Sequence, residues 1–260
     1  MSRALARALA EAQSGNEVRN LLDRTVNEPD GGFPLGSLLS VHLLTFAGLN
    51  QALLDVPVRE AWIGLNMLQK RQIRQLTMQS FRNRGLVSQD GVEGDKHRKL
   101  VLHPYAALIM GARISPRFVL TVGYQGAMRG IRVFAIESAH NSADCYIMEK
   151  PNFSIEEAQE SPFTWNYSYW LLPRSFLSRN LAIFAAAPLD EDSPFAAEPC
   201  VMGLYRPPVA NINMLTTLEI YGDGTKATVL RVGRGIPEPG VATEMTVEEL
   251  ITVVDELLAS

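Results

Sequence analysis

Apolar residues recur at three- and four-residue spacing from the start of the chain. Leu5, Leu9 and Ala12, followed by Val18, Leu21, Leu22 and Val26, predict helix over residues 3–28. Pro29-Asp-Gly-Gly-Phe-Pro34 has the turn chemistry of a loop. The next segment, LGSLLSVHLLTFAGLNQALL, is apolar on all sides and of helix length, which predicts burial or a partner interface. After PVREAWIGLNML comes a cationic helix within Leu68–Leu86, LQKRQIRQLTMQSFRNRGL. Its Ile73, Leu76, Thr77 and Phe81 share an apolar side, and Lys70, Arg71, Arg74 and Arg82 lie off that side. Gly85 suits the left-handed position past a helix end, and Arg82 and Arg84 suit the negative C-terminal pole.

Beyond Gly85 the pattern shifts toward strands. Asp90-Gly91 is a turn signal, Lys99–Leu102 a short strand, and Tyr105–Ala112 a helix. Arg117–Tyr124, Ile131–Glu137 and Cys145–Lys150 are rich in β-branched and aromatic residues. With Gly126, Gly130, Asn141 and Ser142 in the gaps, they predict an antiparallel meander. Ile155–Gln159 reads as a short helix, and Leu177–Ala187 as another, set off by Pro173 and Pro188. Leu189–Pro208, with its Pro, acidic and small residues, reads as a long loop. Leu215–Tyr221 and Thr225–Val232 flank Gly222-Asp-Gly224 as a hairpin. Thr246-Val-Glu-Glu249 is a capping box, and Val247, Leu250, Ile251, Val254, Leu257 and Leu258 form the apolar stripe of a last helix. Segregated runs of helices and strands predict an α+β fold, an antiparallel central sheet flanked by helical layers. Residues 1–55 read as an N-terminal helical segment and 56–260 as the α+β domain, with one continuous domain as the alternative.

Composition narrows the function classes. The 260 residues are 47% hydrophobic, enough for a sizeable core. A net charge of −4 argues against a dedicated nucleic-acid binder. Charge is unevenly spread, however. Residues 70–99 hold eight cations (Lys70, Arg71, Arg74, Arg82, Arg84, Lys96, Arg98, Lys99) against three acids (Asp90, Glu93, Asp95), a net +5. These eight cations are the candidate binding patch. MSRALARALAEAQ is an amphipathic helix without the apolar core of a secretory signal, and no run approaches the length of a membrane span. Cys145 and Cys200 do not make a disulfide framework; they read as reduced thiols of a cytoplasmic protein.

No convergent catalytic set is legible. His42, His97, His103 and His140 lack metal-ligand spacing. His42 reads as a hydrogen-bonded core histidine and His97 as solvated. Asp90-Gly-Val-Glu-Gly-Asp95 lacks the twelve-residue calcium pattern and reads as a polar turn. Gly222-Asp-Gly224 is not a phosphate loop, and Gly-x-Ser-x-Gly is absent. Cys145 falls in a strand rather than at a helix start, and Glu156 and Glu157 suit a solvated helix start. Phe163–Trp170, FTWNYSYW, can stack bases or sugars, but packing in a core or interface is the commoner use of aromatics. No catalytic, metal or cofactor residues are assigned.

Two binding readings remain. The first is a winged-helix DNA-binding regulator with a C-terminal ligand or dimerisation region. In it Arg71, Arg74 and Arg82 line the groove side, and Lys96, Arg98 and Lys99 contact phosphates. The second comes from a resemblance. Phe81-Arg-Asn-Arg-Gly-Leu-Val87 followed by Asp90-Gly91 resembles the "RGL" helix ending and "DG" loop of the EspG-type proteins of type VII (ESX) secretion. The helix at Tyr105–Ala112, the Ser115-Pro116 step, the strands over 117–150, Leu171-Leu-Pro173, and the hairpin and closing helix over 215–258 follow the same order. The resemblance spans residues 60–258. It implies a cytosolic, non-enzymatic adaptor that binds secreted helical partners and covers their hydrophobic tips by groove binding. A protein partner is therefore favoured over nucleic acid, no membrane is expected, and a homodimer is left open.

Overall fold

A computed structural model describes residues 3–27, 32–47, 55–90, 99–124, 130–136, 145–188, 198–206, 213–232 and 242–259. The helices are α1 (Arg3–Gln13), α2 (Asn16–Asn27), α3 (Ser40–Ala47), α4 (Val56–Gly64), α5 (Met67–Asn83), α6 (Pro104–Ile114), α7 (Ile155–Glu160), α8 (Arg174–Ala186) and α9 (Val247–Ala259). The strands are β1 (Phe33–Leu39), β2 (Val87–Asp90), β3 (Lys99–Leu102), β4 (Pro116–Tyr124), β5 (Ile131–Ile136), β6 (Cys145–Pro151), β7 (Asn166–Pro173), β8 (Cys200–Arg206), β9 (Asn213–Gly222), β10 (Lys226–Val232) and β11 (Thr243–Thr246). Among the described residues nine strands belong to a large sheet and two to a small one, so the fold is α+β, as the sequence predicts. The chain divides into two compact units. One comprises Met1–Asp23, Pro34–Ile114 and Pro151–Trp170, the other Arg24–Phe33, Ser115–Lys150 and Leu171–Ser260.

In the first unit, two sequence expectations give way. The single helix over 3–28 is two helices, broken at Ser14-Gly15. The Ser14 hydroxyl donates to the Glu11 carbonyl at 3.1 Å, and the Gly15 amide turns back to Ala12 at 3.1 Å. Serine competes with helical backbone bonding and glycine has low helix propensity, so the break falls there. The apolar segment after Pro34 is not one helix either. Its first part is β1, in which Gly36 takes φ 96°, and only Ser40 onward is helical. The Ser40 amide donates to the Trp165 carbonyl at 2.7 Å, which fixes the start of α3. Helix α1 packs on α6 and β3, and Ala106–Arg113 of α6 are buried throughout. Strands β2 and β3 pair antiparallel from Val87↔Leu102 to Asp90↔Lys99.

The second unit carries the strand order β6-β5-β4-β8-β9-β10-β11. Strands β4, β5 and β6 form the predicted meander, with Leu120 opposite Val133 and Phe134 opposite Ile147. The long loop read over Leu189–Pro208 is overturned at its end. Residues 200–206 are β8, placed between β4 and β9. Cys200, Met202 and Leu204 are buried on one side; on the other Val201 and Tyr205 are half-buried, and Gly203 is buried with the Tyr205 ring beside it. The flanking Pro and acidic residues mask that period in the sequence. The hairpin β9–β10 and the last helix form where predicted. Helix α8 lies against β9, and α9 against α8, β10 and β11. Gly222 meets the end of α8 so closely that an added Cβ would lie 2.2 Å from the Ala186 oxygen. Gly224, at φ 91°, donates to that same oxygen at 2.8 Å. The Tyr146 hydroxyl, fully buried, donates to the Leu258 carbonyl at 2.6 Å.

Candidate binding face on helix α5

Both ends of α5 are written locally. Asn66 accepts from the Gln69 amide and Gln69 Oε1 accepts from the Asn66 amide, each at 2.9 Å, a reciprocal capping box. At the other end Gly85 takes φ 68°, its amide donates to Arg82, and the Leu86 amide donates to Phe81 at 2.9 Å. That pair of bonds is the Schellman arrangement, which requires a left-handed residue just past the helix.

The inner side of α5 is narrower than its apolar pattern predicts. Of 17 residues only Thr77 and Phe81 are buried. Ile73 is half-buried, and Leu76, expected on the buried side, is 67% exposed. Phe81 lies 5.0 Å from the ring of His42, which α3 buries beside it. His42 Nδ1 accepts from the Leu39 amide at 3.1 Å, so Nε2 carries the proton toward Ser80 Oγ, also 3.1 Å away. Burial, and then the neighbouring Arg84 charge, push the imidazole down to about 4. The expected hydrogen-bonded core histidine is therefore correct.

The candidate cations separate into two groups. Arg84 is held by structure: it donates to the Ser37 carbonyl and its Nη1 lies 3.5 Å from His42 Nδ1. Lys70 and Arg74 flank Trp62, a buried side chain of α4. Lys70 Nζ lies 5.8 Å and Arg74 Cζ 5.4 Å from the ring centroid. Lys70 also donates to the Ile63 carbonyl at 3.3 Å. Arg71 and Arg82 are exposed and form no ion pair with a described residue. Lys99 begins β3, paired opposite Asp90. Lys96 and Arg98 lie outside the described residues, as do His97, His140 and the Asp90–Asp95 turn beyond Asp90. The structure thus brings Lys70, Arg71, Arg74 and Arg82 to the outward face of α5. Met67, Leu68 and Met78 lie on it with them, and Met67 and Leu68 are 79% and 66% exposed.

The other sequence candidates resolve as follows. The aromatic cluster is core: Trp165, Tyr167 and Tyr169 are buried, and Phe153 stacks on Trp165 at 5.1 Å. The Tyr167 hydroxyl donates to Asp55 Oδ2, and the buried Arg113 guanidinium lies 5.4 Å from the Tyr167 ring. Glu157 completes a capping box with Ser154 at the start of α7. Cys145 and Cys200 are buried free thiols, and burial pushes Cys200 up to about 12. Among the described residues no cluster of His, Cys, Asp or Glu could hold a metal. No helix among them is long and apolar enough to cross a membrane.

Sequence reasoning missed Trp62 as the partner of Lys70 and Arg74. It also missed the cross-strand pair of Arg132 with fully buried Glu149 in the second unit. The Asn66-x-x-Gln69 box was available as a local signal; the partners of the cations were not. No family model matches the chain, and no curated protein matches it.

Proposed function

We propose that the chain is a protein-binding adaptor of the EspG type, working in the cytoplasm without catalysis and covering secreted helical proteins. The observation that supports this reading best is the outward side of α5. A helix with two buried residues in 17 gains little from its own fold, yet presents methionine, leucine and arginine side chains along one outward face. An exposed face that mixes apolar and charged side chains suits an amphipathic partner helix with the complementary stripe. Methionine adapts to irregular apolar partners, which suits a chaperone-like role.

The second reading, a winged-helix regulator, draws support from one feature. Helix α5 is followed directly by the antiparallel pair β2–β3, the local order of a recognition helix and its wing. Affinity purification from the cells that make the protein separates the two. Recovery of a small helical secreted protein supports the adaptor, and nuclease-sensitive duplex DNA supports the regulator. Recovery of neither refutes the adaptor reading.

A further inference from the structure

We infer that the outward face of α5 docks an acidic amphipathic helix of another protein, with two carboxylates about three helical turns apart. This rests on the adaptor reading and names its partner class. Helix α5 contains four cations and no acid. Met67, Arg71, Gln75, Met78 and Arg82 recur at three- and four-residue spacing, which places them along one helix face. Arg71 and Arg82, eleven positions apart, stand about 16 Å from each other along the axis. Both are exposed and unpaired with described carboxylates, so a partner covering them must bring its own, because a guanidinium desolvated without a counter-charge is costly. Met78, between the two arginines, and Met67 and Leu68, one turn before Arg71, offer apolar surface that a purely charged ligand leaves unmatched.

That mixture selects among occupants. A phosphate backbone matches the arginines but not the thioethers, and Lys70 and Arg74 are already held against Trp62. A second copy of this chain offers α9, with Glu248, Glu249, Asp255 and Glu256. Its apolar stripe Leu250, Val254, Leu257 and Leu258 is buried in its own unit, and Val247, Ile251 and Val253 are half-buried, so α9 has no open apolar stripe for Met67 and Leu68. An acidic helix that exposes an apolar stripe satisfies both halves of the face.

The test replaces Gln75, exposed between the two arginines, with a photoreactive benzoylphenylalanine, and Asn180, exposed on α8, as a control. Irradiation in lysate of the native cells is followed by mass-spectrometric mapping of the cross-linked segment. The expected product joins Gln75 to a helix of another protein with acids about eleven residues apart and an apolar stripe. Recovery should fall about tenfold or more with Arg71→Glu and Arg82→Glu combined, at an unchanged melting temperature. A basic segment, DNA or a second copy of the chain at position 75 overturns the inference. So does a partner that co-purifies equally with the charge-reversed protein and cross-links equally from both probes; the adaptor reading then survives. If no protein co-purifies with the wild type, both fail together.

Discussion

Arg74 lays its guanidinium 5.4 Å from the centroid of the Trp62 indole, and Lys70 holds its ammonium 5.8 Å from the same ring. Two of the cations that look free on a helical wheel are therefore the wall of a buried tryptophan. Long basic side chains cover apolar surface with their stems while the charge stays wet. The basic helix is thus attached to α4 by some of its cations and is open to a partner through the others.

Trp62→Ala should destabilise the protein by about 3–5 kcal/mol, the usual cost of emptying a buried aromatic site. Arg74→Gln should cost about 0.5–1 kcal/mol, the scale of an exposed cation–π contact. In the Trp62→Ala background the arginine change should lose most of its effect. Urea unfolding of the double-mutant cycle measures this, and simple additivity would rule out the contact as an energetic one.

His42 makes stability depend on pH in a defined window. Its folded value of about 4 lies below the ordinary 6.5, so between those limits the unfolded chain binds a proton that the folded chain excludes. Stability therefore rises with pH from about 4 to 6.5 and is flat in this term above it. The contribution lost on acidification is about 3 kcal/mol. His42→Gln should remove this part of the slope while carboxylate titration remains. Urea midpoints at a series of pH values for both proteins read the difference; parallel curves would count against the assignment.

Glu149 is fully buried opposite Arg132 on neighbouring strands. Arg132→Met should cost about 3 kcal/mol, because it removes the guanidinium paired with a buried carboxylate. Replacing both residues with apolar ones should recover most of that loss. Thermal unfolding of the two variants checks the order; a double variant as weak as the single would contradict it.

Random duplex DNA at low salt should not be retarded by the wild-type protein in an electrophoretic shift. Tight, salt-sensitive binding abolished by Arg71→Glu, Arg74→Glu and Lys99→Glu together would establish phosphate contacts and the regulator reading. Arg71→Glu and Arg82→Glu singly should change stability by no more than about 0.5 kcal/mol, as surface substitutions do.

What the sequence determined on its own is the set of elements whose signals lie within a few residues of each other. Gly85 stops α5 because the chain there needs a left-handed residue, and Gly222-Asp-Gly224 turns β9 into β10 with Asp223 Oδ1 accepting from the Thr225 and Lys226 amides. Thr246 and Glu249 cap α9 within one turn. The basic character of α5 was likewise legible. Only the tertiary structure decided which cations are held. Arg84 reaches Ser37 across 47 positions and His42 reaches Ser80 across 38, separations at which no local pattern operates. The same holds for β8, whose short apolar alternation gains its place only by pairing with β4 and β9. Capping and turn preferences act through backbone geometry that neighbours share. Burial, cross-strand register and the partner of a charge depend on what the rest of the chain brings alongside, so the open face of α5 could be seen only once α3 and α4 had claimed its other side.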